Sequence, residues 1–318
     1  MKQTTLGPVG WTLKGKVTRR GQFLSEMEAV IPWQRLLALI EPYYPKAETG
    51  RPAHPMERML RVYFMQQWFN LSDPAMEDAL YDSESMRGFA GLDLGQELVP
   101  DESTILRFRH LLEKHKLTEA IFAEVRTLLE KKGLLLKSGT IVDATIIAAP
   151  PSTKNAEGKR DPEMHQTRKG KQWHFGMKLH VGTTKQGLVH SVVSGPAHQA
   201  DISRIGELLH GEESELYGDQ AYWSEDHRQH CQEAGIRYRI NRRAPSKHQP
   251  LTDYQKWINR SRSRRRARGE HAFHIVKRLW GFAKVRYRGL YKNTVRAFAM
   301  FALANLYMVR RRLMAAGA

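Results

Sequence analysis

Thr140-Ile-Val-Asp-Ala-Thr-Ile-Ile147 decides how the chain is read. Its β-branched residues predict a strand, and its apolar content predicts a strand packed inside a sheet. Asp143 stands in the middle of this run. A carboxylate among apolar strand neighbours costs free energy unless it is compensated. Asp143 is therefore either one residue of a solvated face, shared with Thr145, or a group kept there for its chemistry.

Toward the carboxyl terminus, Lys178 to Val181 and Leu188 to Val193 are also β-branched, and Thr183 to Gly187 joins them, so this pair predicts a hairpin. Pro150 to Gln172 is polar and basic with no apolar period, which predicts a mobile surface loop. A helix is expected from about Asp201, with Ile205, Leu208 and Leu209 inward, then a short strand at Glu215 to Tyr217. Glu225 to Ala234 reads as a helix and Ile236 to Ile240 as a strand. A basic linker with Pro245 and Pro250 leads to one long helical segment, Tyr254 to about Trp280. Strand, hairpin, helix, strand, helix, strand, helix is the element order of a ribonuclease H-like α/β fold, a mixed sheet flanked by helices.

Toward the amino terminus the pattern is helical. Pro32 precedes Trp33, Leu36, Leu37 and Ile40, and Pro55 precedes Met59, Leu60, Tyr63, Phe64 and Trp68, each an amphipathic face with proline near its first turn. Asp73-Pro74 is expected to cap and start a helix through Leu80, and Asp101 to open another with Ile105, Phe108, Leu111 and Leu112 inward. A further helix runs from Thr118 to about Lys132 and ends at Gly133. Short helices with tight turns suit a helix-turn-helix-like module, in which segment 103 to 115 would offer Thr104, Arg107 and His110 to DNA. The expected division is a helical DNA-binding or dimerisation region over 1–135, and a catalytic domain with basic carboxyl-terminal helices over 136–318.

The 318 residues carry 51 Lys and Arg against 33 Asp and Glu, a formal charge of +18, with 41% hydrophobic residues. That much apolar material excludes a disordered basic tail, and the charge favours a polyanion, DNA foremost. The lone Cys231 excludes a disulfide framework and a thiolate zinc cluster, which suits a reducing interior. Met1 to Pro8 lacks the apolar core of a signal peptide, and Ala297 to Val309 is too short to span a bilayer, so a cytoplasmic protein with no membrane partner is expected.

Two more carboxylates join Asp143. Asp219, in Leu216-Tyr-Gly-Asp-Gln-Ala-Tyr222, follows a strand, where open α/β sheets gather their ligands, although Gly-Asp also makes ordinary turns. Glu270 lies in the most basic stretch, Arg260-Ser-Arg-Ser-Arg-Arg-Arg-Ala-Arg-Gly-Glu-His-Ala-Phe-His-Ile-Val-Lys-Arg278. A helical ion pair with Arg266 one turn earlier would account for it at about 0.2 to 0.5 kcal/mol. In the expected fold the first strand is central, the strand before Asp219 is its neighbour, and the long helix crosses the sheet, so the three acids would meet. Three such carboxylates repel unless protonated or neutralised, and hard oxygen donors favour Mg²⁺ or Mn²⁺. Two ions would clamp a phosphodiester for in-line attack.

These residues resemble the DDE transposases of bacterial insertion sequences, specifically the insertion sequence 5 family, over nearly the whole chain. Val142-Asp-Ala-Thr145 resembles the first aspartate motif of that family and Gly218-Asp-Gln-Ala-Tyr222 the second. The third is a Tyr, two residues, Arg, three residues, Glu, six residues, Lys; Arg266, Glu270 and Lys277 keep that spacing, and Ser263 replaces the Tyr. Asp161-Pro-Glu-Met-His-Gln-Thr167, Trp173-His-Phe-Gly-Met-Lys178 and Leu71-Ser-Asp-Pro-Ala-Met-Glu-Asp-Ala-Leu80 are similar as well. The resemblance implies a bacterial, nucleoid-associated enzyme that cuts double-stranded DNA at its element's terminal inverted repeats and joins the 3′-hydroxyl ends to target DNA. It implies Asp143, Asp219 and Glu270 as catalytic metal ligands, and a homodimer or larger synaptic assembly. Arg264, Arg266, Lys277 and Arg278, with Arg107 from the helical region, are the expected DNA contacts. A DNA-binding regulator without catalysis, or a ribonuclease H-like nuclease without strand transfer, are the competing readings.

Overall fold

A computed structural model describes residues 17–46, 52–244, 246 and 248–317; Met1 to Pro8 and Pro245 lie outside the described residues. The amino-terminal part is helical: α1 (Arg19–Val30), α2 (Trp33–Ile40), α3 (Met56–Phe69), α4 (Asp73–Asp82), α5 (Glu84–Ala90), α6 (Glu102–Lys114) and α7 (Leu117–Lys131). α3 starts after Pro55 and buries Met59, Leu60, Phe64 and Trp68, as its apolar spacing predicts. The cap of α4 is Ser72 rather than Asp73: Ser72 Oγ accepts the Ala75 amide at 3.3 Å. Asp73 has other work, since its carboxylate accepts from Arg109 of α6 at 2.9 Å and from Gln66 of α3 at 2.8 Å, which ties three helices together. Ser72→Ala is expected to cost about 1 kcal/mol, read as a lower urea midpoint at unchanged slope.

The rest of the chain builds a six-stranded sheet from β1 (Thr140–Ala148), β2 (His165–Lys169), β3 (Gln172–Thr184), β4 (Val189–Pro196), β5 (Glu215–Gly218) and β6 (Arg237–Ile240). β3 pairs antiparallel with β1, β2 and β4, while β1, β5 and β6 run parallel to one another in that order. α8 (Ile205–Leu208) and α9 (Glu225–Glu233) connect the parallel strands, and Val142, Leu208, Leu216, Tyr222 and Ile240 form the small core on that side. The opposite face carries Ile147, Met177, Leu179 and Val181, which join the large core of the amino-terminal helices.

The final helix α12 (Leu290–Gly317) links the two parts, packing against α1, α3 and α7 as well as against β4. Its buried Asn305 accepts the Val189 amide at 2.8 Å and donates to the Val189 carbonyl at 2.7 Å, so a helix side chain pairs the β4 backbone where no strand does. The apolar run Ala297 to Val309 is thus a buried helix, and no helix is long and apolar enough to cross a membrane among the described residues.

Two further expectations need correction. The segment Pro150 to Gln172 is not loop throughout: His165–Lys169 forms β2 against β3, a polar and mostly exposed strand with no apolar alternation to betray it. The helix expected from Tyr254 to Trp280 is broken. α10 (Asp253–Arg266) stops, a turn follows, and α11 (Glu270–His274) runs into a wider helical turn in which the Trp280 amide reaches back to the Ile275 carbonyl at 3.0 Å. Thr252 and Gln255 form a reciprocal cap that starts α10.

Candidate active site

The break between α10 and α11 sets the position of Glu270. Gly269 is buried against the sheet, where an added Cβ would lie 3.0 Å from Ile141 Cγ2 and 3.2 Å from Thr183 Oγ1. Only a residue without a side chain lets the chain turn this close to β1 and β3, and the turn closes through Gly269 N donating to Arg266 O at 2.8 Å.

α10 crosses one face of the sheet. Arg262 donates to the Ile240 carbonyl at the end of β6 at 2.6 Å, and Arg265 to the Tyr217 hydroxyl in β5 at 2.9 Å. Arg266 reaches Asp143 Oδ2 in β1 at 3.4 Å. The register sets Ile141 beside Tyr217, so Asp143 and Asp219, each two residues further on, continue along that face from neighbouring strands. Ser263, at the position where the resembling motif has a tyrosine, accepts from Asn241 Nδ2 at 2.9 Å and fastens α10 to the chain leaving β6.

Gly218 owes its place to packing. Its backbone is pressed between Ile240 Cδ1 and Val142 Cγ2, where an added Cβ would lie at 2.7 and 3.0 Å. Asp219 follows in extended conformation, with φ −79° and ψ −179°, and its Oδ1 accepts the Ala221 amide at 2.8 Å. The carboxylate thereby caps the turn Gln220–Tyr222 and is held at the strand end.

Asp143 is the most enclosed of the three acids: its side chain is 13% exposed, against 52% for Glu270. Burial pushes its carboxyl up to about 6; Arg266 and the Ala144 amide pull the other way, and the charges of Asp219 and Glu270 add to the rise. Asp219 and Glu270 therefore both act electrostatically on Asp143. Arg266 is the cation among them, bridging Asp143 at 3.4 Å and Glu270 Oε1 at 2.7 Å. Among the described residues, no group of three or more His, Cys, Asp or Glu is close enough to hold a metal ion. The donor chemistry nevertheless fits a hard divalent cation, since the three groups offer only carboxylate oxygens and Asp143 lacks enough positive charge to keep its ordinary acidity.

The other sites expected from sequence divide. Lys277 is half-buried and donates to Thr145 Oγ1 at 2.8 Å and to the Ile146 carbonyl at 2.9 Å, two and three residues beyond Asp143 on β1, and burial lowers its pKa. It braces β1 against the α11 segment. Arg264 and Arg278 are exposed. Arg107 is exposed on α6 and bonds within its own helix, to the Ser103 carbonyl at 3.2 Å and Thr104 Oγ1 at 3.0 Å. Sequence reasoning did not single out Arg262 or Arg265, whose contacts to β6 and β5 hold α10 across the sheet. Nothing in a run of six arginines over residues 260–268 distinguishes these two from the rest.

Comparison with known families adds two findings. Residues 135–306 match the model described as "Transposase DDE domain", and residues 11–111 match "Transposase domain (DUF772)". No solved structure matches the chain.

Proposed function

From the premise that this chain belongs to the DDE-domain transposases, we propose that it cuts DNA at the ends of its own element and joins them to target DNA at Asp143, Asp219 and Glu270. The observation that carries this is the electrostatic grouping of Asp143 on a central strand with Asp219 at the end of its parallel neighbour and Glu270 at the start of a helix, with Arg266 bridging Asp143 and Glu270. Burial holds the Asp143 carboxyl near pH 6 and the two further carboxylates add to the rise, which marks a site where positive charge is short.

Asp143, Asp219 and Glu270 would hold two Mg²⁺ or Mn²⁺ ions. When bound, such ions activate an attacking oxygen, of water for cutting and of a 3′-hydroxyl for joining, and stabilise the leaving oxygen. The chain's own residues prepare that site. Asp143 and Asp219 are fixed by backbone amides, and Gly269 brings Glu270 against β1. Arg266 would leave its bridge between Asp143 and Glu270 and offer its guanidinium to a phosphate, whose two oxygens match its planar fork. Lys277, anchored by Thr145, holds β1 in register with the helix that bears Glu270.

The finer assignments belong to the same proposal. Membership in the insertion sequence 5 family is supported by the spacing of Arg266, Glu270 and Lys277. A ribonuclease H-like reading is supported by a sheet in which β4, β3 and β1 are antiparallel neighbours and β5 and β6 continue parallel to β1. The net charge of +18 supports double-stranded DNA as substrate, gripped by Arg264, Arg278 and the helical region with Arg107. Terminal inverted repeats, the division at residues 135 and 136, and work as a homodimer or larger assembly follow from the family reading.

Joining separates a transposase from a nuclease of the same fold. Supplied with Mg²⁺, target DNA and precut element ends bearing 3′-hydroxyls, the protein is expected to yield covalently joined products. Hydrolysis of uncut ends without any joined product would replace this reading with that of a nuclease.

A further inference from the structure

Between α10 and the sheet, with none of the three carboxylates in its lining, lies an open groove of about 640 Å³. Its floor is β5 and β6, and its wall is α10 from Tyr254 to Arg265. Glu215 and Asp219 stand at opposite ends of β5, four residues apart, which is about 13 Å along a strand. The groove is thus a neighbour of the candidate active site and not part of it.

Two features of the lining point to one kind of ligand. The first is excess positive charge. Glu215, with a side chain only 5% exposed, is surrounded by Lys185 in contact, Arg237 at 3.2 Å, Arg265 at 3.9 Å and Arg239 at 4.0 Å. Four cations around one carboxylate leave a net charge of 4 − 1 = +3, and the three arginine side chains remain 42–62% exposed to a ligand. The second is an aromatic platform. Tyr254 and Trp257, one turn apart on α10, are 69% and 62% exposed, and their rings stack at 6.1 Å with an interplanar angle of 18°. Large aromatics this exposed contribute nothing to the core.

We propose that this groove binds unpaired nucleotides of a single DNA strand, with bases stacked on Tyr254 and Trp257 and phosphates held by Arg237, Arg239 and Arg265. Aromatic faces beside a cationic track are what a single strand requires, because its bases expose π-faces that a duplex keeps within its stack. Glu215 keeps the arginines from repelling one another when the groove is empty, and fixes where they point. The proposal rests on DNA being the substrate, and it assigns the groove a strand already separated from its complement.

The test uses the full chain in metal-free buffer, with fluorescently labelled oligo-dT of about 15 nucleotides, a length spanned by one single-strand site, and a duplex of the same length as probes. Replacing both Tyr254→Ala and Trp257→Ala is expected to weaken oligo-dT binding about tenfold or more, the loss carried by removal of a base–aromatic stack. Duplex affinity should stay unchanged. The aromatic pair Tyr254→Phe with Trp257→Phe should keep oligo-dT affinity, which separates stacking from damage to α10. If the alanine pair binds oligo-dT as tightly as the parent while duplex binding persists, the groove assignment is overturned and the DNA reading stands. If the parent binds neither probe, both fall together.

Discussion

Asp143→Asn, Asp219→Asn and Glu270→Gln are each expected to lower DNA cleavage in Mg²⁺ by about a thousandfold or more, the scale seen when one member of a catalytic unit is removed. The neutral amides keep the size and much of the hydrogen bonding of each side chain, so the loss should fall on the chemical step and leave folding and DNA affinity in place. Asp219→Asn can still accept the Ala221 amide through its side-chain oxygen. Glu270→Gln loses the charge that pairs with Arg266, and because the Glu270 side chain is half exposed the pair contributes little to stability. Measured single-turnover cleavage beside filter binding of the same DNA separates the two effects. If all three substitutions instead lowered affinity in parallel with rate, the acids would be organising the DNA surface and not the reaction.

The second large effect is on stability. Asp143 is charged at neutral pH at a cost, because burial, Asp219 and Glu270 together outweigh the help of Arg266 and raise its carboxyl to about 6. The folded protein therefore holds a proton that the unfolded chain, with an ordinary aspartate near 4, has already released. Between about pH 4 and pH 6 the folded state binds more protons, so this group's contribution to stability falls as pH rises through that window and stays low above it. At pH 7.5 and without divalent cations, Asp143→Asn is expected to stabilise the protein by about 1–3 kcal/mol, an estimate reduced for the lost Asp143–Arg266 contact. Thermal unfolding should show a Tm higher by about 2–6 °C at this chain size, and the gain should vanish below pH 4. An equal gain at both pH values would trace it to packing and not to charge.

Such a stabilising loss-of-function substitution is expected where a site is built to receive positive charge that the chain does not fully supply. Arg266 supplies part of it, since its guanidinium spans Asp143 and Glu270. The ion pair of Glu270 with Arg266 and the role of Glu270 in the site are then not rivals. The pair describes the chain by itself, and the proposed role describes it with cations and DNA bound.

How much could be read from sequence varies with how local the cause is. β1 and Asp143 were legible because a β-branched run fixes the strand within its own residues, and β5 because a short apolar run ends at Gly218-Asp219. The ion pair of Glu270 with Arg266 was legible through their spacing of one helical turn. The break before Glu270 was not, because helix propensity runs unbroken through Arg264 to Arg266 and the chain stops there only to seat Gly269 against Ile141 and Thr183. β2 escaped for a similar reason: its partner, Gln172 to Gly176, supplies the pairing that its polar residues do not announce. The aromatic pair Tyr254 and Trp257 was not singled out in the long helical segment, and only their exposure in the folded chain brings them forward.

The most direct measurement is a change of metal preference. Asp219→Cys exchanges a hard carboxylate for a softer thiolate, which Mn²⁺ accepts more readily than Mg²⁺. If Asp219 holds the divalent ion, the cysteine variant should cut element-end DNA in Mn²⁺ while failing in Mg²⁺, and the parent should cut in both. Equal cleavage by the variant in the two metals, or equal failure in both, would contradict a metal site at Asp219.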